Sequence, residues 1–156
     1  MRLPIRIAVV LLAQLALVGV VLVPQLSARA TGEDYLFRVE PYDPVDPFRG
    51  TYVDLTYPDL QPAGGDDYAD HGTVFLPLEQ QGDVWVSTGP VQERPSDGPY
   101  LTCDDHSWRM RCGIESYFLP QDEAAGFQEL VGSGTAVARV KIDSRGNAAL
   151  VGVEAR

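Results

Sequence analysis

The feature that most constrains this chain is a run of seventeen residues without a charged side chain, Ile7–Val23. As a helix rising 1.5 Å per residue, the run covers about 26 Å, close to the roughly 30 Å hydrocarbon core of a bilayer. A core helix of a soluble protein would show a polar face, but Gln14 is the only strongly polar residue here. The sequence therefore predicts a membrane anchor within residues 1–30 and a separate domain in residues 31–156.

Charges on the two sides of the run predict its orientation. Arg2 and Arg6 precede it, whereas Glu33 and Asp34 follow it. The positive-inside rule then places the N-terminus in the cytoplasm and the domain outside, as an extracytoplasmic part of a single-pass protein at the cell membrane. The pattern Ala28–Ala30 also fits a signal peptide cut after its last alanine, but the run exceeds the 7–15 apolar residues usual for signal peptides. We therefore prefer an uncleaved signal-anchor.

The charge of the remainder excludes one class of partner. Three arginines are the only charged residues before Thr31, and the rest carries 22 acidic and 9 basic residues. A segment of charge +3 thus precedes a domain of charge −13, which gives the net −10. Such a domain repels phosphates, so nucleic-acid binding is not expected. Anionic lipid headgroups should also repel it, so membrane attachment must come from the helix.

The exported part is predicted to be mainly β, because short alternating runs are separated by Pro- and Gly-rich turns without βαβ alternation. This pattern favours a small antiparallel barrel or sandwich with one short helix, Asp122–Leu130. A closing hairpin is expected around Ser144–Asn147, where Gly146 can take a positive φ. The predicted strands are Tyr35–Glu40, Thr51–Tyr57, Thr73–Leu78, Asp83–Ser87, Tyr100–Thr102, Ile114–Leu119, Ala136–Asp143 and Ala148–Glu154.

Cys103 and Cys112 are the only cysteines, and an even count outside the membrane predicts a disulfide. A metal site from Cys103, His106, Cys112 and one Asp is the alternative, although the C-x₂-C spacing of zinc sites is missing. A second cation-binding alternative is the loop holding Asp66, Asp67, Asp70 and His71, which reads more simply as a solvated loop. We predict no metal and no cofactor.

Two blocks of sequence resemble a known family. VEPYDPVDPFRGTYVDLTYPDL at Val39–Leu60 is followed by GIESYFLP at Gly113–Pro120. Both are similar to the common blocks of the GDYXXLXY family of membrane-anchored bacterial and archaeal proteins. The resemblance implies a membrane anchor followed by a compact domain, and it implies no particular reaction. The residues that match, and that we take as motif and candidate binding residues, are Asp43, Asp46, Phe48, Arg49, Gly50, Tyr52, Leu55, Tyr57, Glu115 and Tyr117.

Departures from the family pattern are few. Thr51 stands where the motif has Asp, and Asp59 replaces an apolar residue that often closes it. Asp122 or Glu123 takes the place of the Glu that ends the second block. If the family's acidic position has a chemical role, Thr51 removes that role here.

The motif has a structural and a functional interpretation. Pro44 and Pro47 stiffen the segment, and Arg49 can form charge-assisted hydrogen bonds with Asp43 and Asp46. That interpretation makes the motif a scaffold. The functional alternative is that Arg49, the acids and the tyrosines line a groove for a partner.

No residue pattern in the sequence favours a particular class of enzyme. Ser27 at the membrane exit and Lys141 are the residue types of a signal-peptidase-like pair, but Lys141 lies on the polar face of its predicted strand. His71 and His106 fall in polar loops without a nucleophile elbow. The sequence thus favours an interaction or accessory module whose partner is a multi-pass membrane protein or an envelope component. An extracytoplasmic hydrolase or metal-dependent enzyme is the alternative.

Overall fold

The computed structural model describes residues 2–42, 52–60, 72–105, 110–120 and 123–156. Its first element is the helix α1, Arg2–Thr31. Apolar side chains point outward along the run Ile7–Val23 of this helix, and Leu15, Leu17 and Val20 are 67–73% exposed. In the described part of the chain, α1 is the one helix long and apolar enough to cross a membrane, and none of its most apolar window is buried within the protein.

Within the described residues, the domain that follows has nine strands and a second helix. Three antiparallel sheets of three strands each have the orders β1-β8-β9, β2-β3-β7 and β5-β4-β6. The mainly β prediction is therefore confirmed, as is the short helix. The elements are β1 Glu33–Arg38, β2 Glu40–Pro41, β3 Tyr52–Thr56, β4 Thr73–Gln81, β5 Val84–Ser87, β6 Tyr100–Asp104, β7 Ser116–Phe118, α2 Ala124–Gly132, β8 Ala136–Ile142 and β9 Ala148–Ala155.

One hydrophobic core joins the three sheets. Alternation along β1 directs Tyr35 and Phe37 inward. The Tyr35 ring meets Trp85 of β5 edge to face with centroids 4.9 Å apart, and the Phe37 ring meets Tyr57 at 6.4 Å. Because β1 touches both other sheets in this way, the three sheets share one buried interior.

The closing hairpin forms as predicted. Strands β8 and β9 pair antiparallel from Ala136 opposite Ala155 to Ile142 opposite Ala148. Gly146 in the turn has φ +78°, and a Cβ there would lie 2.5 Å from the Tyr100 ring. Only glycine satisfies both the left-handed backbone and this close approach.

Two details of the predicted strands are wrong. The strand expected over Tyr35–Glu40 is divided at Val39, because Arg38 pairs with Val137 of β8 whereas Glu40 pairs with Thr56 of β3. The Val39 N–H still donates to the Ala136 carbonyl, which continues the β1–β8 pairing. The strand expected over Ile114–Leu119 shortens to β7, because Ile114 turns into the core. Among the described strands no pairing closes the sheets into a barrel, so layered sheets are favoured over that alternative.

Candidate functional site

The end of the first motif block is buried in the core. Leu55 is inaccessible to solvent, and Tyr57 donates its hydroxyl proton to the Ile114 carbonyl at 2.7 Å. Burial raises the pKa of Tyr57 well above its ordinary value, and the nearby negative charge of Glu115 raises it further. The phenol is therefore a permanent hydrogen-bond donor that ties the first block to the second.

Glu115 makes the reciprocal connection. Its carboxylate accepts the backbone N–H groups of Cys112 and Gly113, the latter at 3.0 Å, and so closes a tight turn in the second block. Its own carbonyl accepts the Leu55 N–H at 2.7 Å. Leu55, Tyr57 and residues 112–115, which we call the motif core, are thus one hydrogen-bonded unit with a structural role.

A disulfide closes the far side of the motif core. Cys103 in β6 and Cys112 are joined, and the backbones on either side are bridged by reciprocal hydrogen bonds between Asp104 and Arg111. The predicted disulfide is confirmed. Both sulfurs are then committed to each other instead of serving as thiolate ligands, which removes the metal-binding alternative that used these two cysteines.

The remaining described motif residues lie on the paired strands β3 and β7 of the second sheet. Tyr117 of β7 is half-buried and stacks on Phe127 of α2, with ring centroids 5.1 Å apart. The backbone of Tyr52 pairs in register with Phe118 of β7. Tyr117 thereby fixes the helix α2 on the second motif block.

Several predicted residues lie outside the described residues, so the docking interpretation of the motif stays a prediction. The cation-binding alternative and the enzyme alternatives that use a histidine also stay predictions. Within the described residues, no group of His, Cys, Asp and Glu is arranged to hold a metal. The residues concerned are Asp43, Asp46, Phe48, Arg49, Gly50, Thr51, Asp66, Asp67, Asp70, His71, His106 and Asp122.

Asp59, noted in the sequence as a departure from the motif, has a clear role. Its carboxylate accepts two hydrogen bonds from the Arg38 guanidinium, one of them from Nε at 2.6 Å. The pair joins β1 to the turn that follows β3. A bidentate guanidinium–carboxylate pair needs a carboxylate at this position, so an apolar residue would leave Arg38 without it.

The last two turns of α1 dock on the domain, which sequence reasoning did not predict. Gln25 donates to the Gly113 carbonyl of the motif core at 3.1 Å, and Arg29 donates to the Leu150 carbonyl of β9 at 3.2 Å. Ala28 between them is completely buried. We call this contact the helix junction. The small residues Ala28 and Gly32, one helical turn apart, were the only sequence signal for it.

Ser27 at the helix junction is held by an acid instead of activated by a base. Its hydroxyl donates to Asp143 at 2.5 Å, and Arg145 donates to the same oxygen atom of Ser27 at 2.9 Å. Burial alone would raise the pKa of Asp143, but hydrogen bonds from Asn147, Ser27 and two backbone N–H groups outweigh it and lower that pKa. A carboxylate with a lowered pKa is a poor general base, so this geometry does not support a nucleophilic Ser27.

Comparison with known proteins agrees with both motif blocks. The profile of the family described as GDYXXLXY protein matches residues 14–153. The chain belongs to the GDYXXLXY family. The match covers nearly the whole chain, including the second half of α1, the helix junction, the motif core and the final hairpin of this GDYXXLXY protein. Neither the search of curated proteins nor the search of solved structures returned a match.

Proposed function

We propose that this GDYXXLXY protein is a single-pass, uncleaved membrane protein whose extracytoplasmic β domain is an interaction or accessory module for a membrane or envelope partner. The observation that supports it is the division of α1 into two parts. The apolar part exposes its side chains along its whole length, as a helix surrounded by lipid does, while the last two turns are fixed to the β domain.

The helix junction argues for an uncleaved anchor. A cut after Ala30 would separate Gln25, Ser27, Ala28 and Arg29 from the contacts they make with the domain. A peptidase must also reach the bond, and here that bond lies inside the docked helix, which ends at Thr31. The orientation follows the arginines that precede the apolar part.

The proposed role is interaction because the described motif residues build a scaffold instead of a reaction centre. Leu55, Tyr57 and Glu115 are used internally, and Gln25 couples them to the anchor. The described motif residues thus form a scaffold beside the anchor, and in sequence the rest of the first block, with Arg49, directly precedes that scaffold. No described residue favours the hydrolase or metal-dependent alternative.

Anchoring and cleavage are tested on the full chain expressed in a bacterial membrane. We expect the protein to stay in the pellet after alkaline extraction, to have the mass of the uncleaved chain, and to be digested by protease added outside the cells. A soluble product that begins after Ala30 would contradict the anchor, and protection from external protease would contradict the orientation.

The partner is tested by affinity capture of the full chain from gently solubilised membranes. The variant Arg49→Ala should lose a specific membrane or envelope protein, whereas Arg139→Ala, which changes an exposed arginine of β8, should retain it. Equal recovery of every protein with both variants would contradict docking through the motif.

A further inference from the structure

The helix junction fixes the depth of particular residues relative to the bilayer, if the proposed anchoring holds. The apolar run ends at Val23, so the hydrocarbon boundary lies near that residue. Ser27 is four residues further along the same helix, or about 6 Å at 1.5 Å per residue. The headgroup layer of one leaflet is roughly 5–7 Å thick. Ser27 therefore lies at the level of the lipid phosphates.

Arg145 is held at that level. Its Nη2 donates to the Ser27 hydroxyl at 2.9 Å, and its backbone N–H donates to Asp143 at 2.9 Å. The turn between β8 and β9 thus clamps the guanidinium against the helix. Even so, 58% of the Arg145 side chain is exposed. A guanidinium held at phosphate depth and facing solvent is suited to bind an anion with its other donors.

Asp143 is an ion-pair partner of Arg145, but it does not accept a hydrogen bond from the guanidinium. Both oxygens of Asp143 already accept hydrogen bonds, from Ser27 and from the side chain and backbone of Asn147 as well as from the Arg145 N–H. The shortest distance between the Arg145 guanidinium and Asp143 is 3.7 Å, which is within ion-pair range but longer than a hydrogen bond. Asp143 therefore offsets part of the charge of Arg145 and leaves guanidinium N–H donors able to bind a phosphate oxygen.

A second arginine lies at a similar depth. Arg29 is two residues beyond Ser27, about 3 Å further from the hydrocarbon, and its Nη2 donates to the Leu150 carbonyl. Its side chain is also exposed. Residues two apart on a helix point to nearly opposite sides, so Arg29 and Arg145 flank the helix where it leaves the membrane.

We propose that Arg145, with Arg29 as a second contact, binds the phosphate of anionic phospholipids in the leaflet where α1 leaves the membrane. The contact holds the acidic domain upright on a surface that would otherwise repel it. Repulsion by the rest of the domain is screened over roughly 8–10 Å, whereas the two guanidiniums touch the phosphates directly. This inference rests on the proposed anchoring.

The test uses the full-length protein in neutral detergent, titrated with soluble short-chain phosphatidylglycerol while bound lipid is counted by native mass spectrometry. We expect Arg145→Gln to weaken binding at least fivefold. The matched control is Arg139→Gln, which removes the same charge from an exposed β8 residue that forms an ion pair with Glu154. This variant should bind the lipid as the wild type does.

Two further measurements distinguish lipid binding from misfolding of the variant and from binding of free phosphate. Saturating phosphatidylglycerol should raise the thermal midpoint of the wild type, because a ligand that binds the folded state stabilises it. Inorganic phosphate at the same concentration should not displace the lipid, and displacement would show a free-phosphate site instead. Unchanged binding by Arg145→Gln, or no thermal shift in the wild type, would overturn the proposal. Failure of the anchoring itself would appear separately, as loss from the alkaline-extracted membrane pellet.

Discussion

At the scale of single residues, the motif core depends on hydrogen bonds that are shielded from water. Tyr57 and Ile114 are 5% and 1% exposed, so the carbonyl that accepts the phenol proton has no access to solvent. Leaving such an acceptor unpaired costs the full desolvation of the group. The hydroxyl of Tyr57 therefore has a structural role in the fold.

We expect Tyr57→Phe to lower the free energy of unfolding by about 1–3 kcal/mol, because the Ile114 carbonyl stays buried without a partner. Thermal or chemical unfolding of the full chain in detergent measures the change. Tyr117→Phe is the control, since the half-buried ring can still stack on Phe127, and we expect a change within about 0.5 kcal/mol. Equal losses in both variants would mean that the hydroxyl of Tyr57 is not the cause.

Asp143 makes stability depend on pH in a predictable direction. Its pKa in the folded protein lies below the ordinary value of about 3.9, so its ionised form stabilises the fold above that pH. This contribution is lost as the pH falls through the folded pKa. We therefore expect Asp143→Asn to cost on the order of 3 kcal/mol at pH 7 and progressively less below pH 4.

Thermal midpoints of the wild type and Asp143→Asn between pH 7 and pH 3 test this expectation. The exposed Asp97, which accepts a hydrogen bond only from the adjacent Ser96 side chain among its described contacts, supplies the control Asp97→Asn. Its difference from the wild type should be small and flat. A gap between wild type and Asp143→Asn that stays constant across the acid range would contradict the role of the ionised carboxylate.

At the scale of elements, the sequence predicts strands and turns well where local chemistry decides them. Alternation in AVARVKID and the glycine of SRGN are sufficient to predict the β8–β9 hairpin, and an even count of two cysteines, expected outside the membrane, predicts the disulfide. Prediction from the sequence fails where tertiary contacts determine which side chains are buried. Alternation in AVARVKID predicts Val137 on the same polar face as Lys141, yet Val137 is 3% exposed in a strand that both described helices contact.

The helix junction is another tertiary feature that no periodicity reveals. Gln25, Ser27 and Arg29 follow a membrane segment and read as ordinary flanking residues, but each bonds a residue more than 80 positions away. The candidate site was therefore predicted only in part. The motif in the sequence predicts which residues belong to the site, whereas only the folded structure shows that the motif core contacts the anchor helix.

Gly32 is the element-scale test of this junction. A Cβ added there would lie 2.4 Å from the Ala28 carbonyl oxygen and 2.9 Å from the Ile142 backbone nitrogen, and neither atom can yield as a side chain would. We expect Gly32→Ala to destabilise the protein by about 1–3 kcal/mol, since overpacking forces a backbone shift. Thermal unfolding of the full chain in detergent measures this change.

Gly126 of α2 provides the matched control. A Cβ there meets nothing within 4 Å, and alanine favours a helix over glycine by up to about 1 kcal/mol. Gly126→Ala should therefore leave the thermal midpoint unchanged or raise it. If Gly32→Ala were equally harmless, the end of α1 would not be packed against β8 as the structure shows.

At the scale of the whole molecule, the helix that is long and apolar enough to span a membrane also packs on the β domain through its last two turns. The fragment 24–156 keeps the docked turns and loses the apolar part, whereas the fragment 33–156 loses both. We expect 24–156 to unfold at a higher temperature, by the equivalent of about 2 kcal/mol. The junction hydrogen bonds contribute roughly 0.5–1.5 kcal/mol each, and ordering the helix end offsets part of that gain. Equal stability of the fragments 24–156 and 31–156 would mean that the helix junction does not stabilise the domain, and it would remove the support that the junction gives to an uncleaved anchor. Greater stability of 24–156 over both shorter fragments would mean that a cut after Ala30 leaves an incomplete fold.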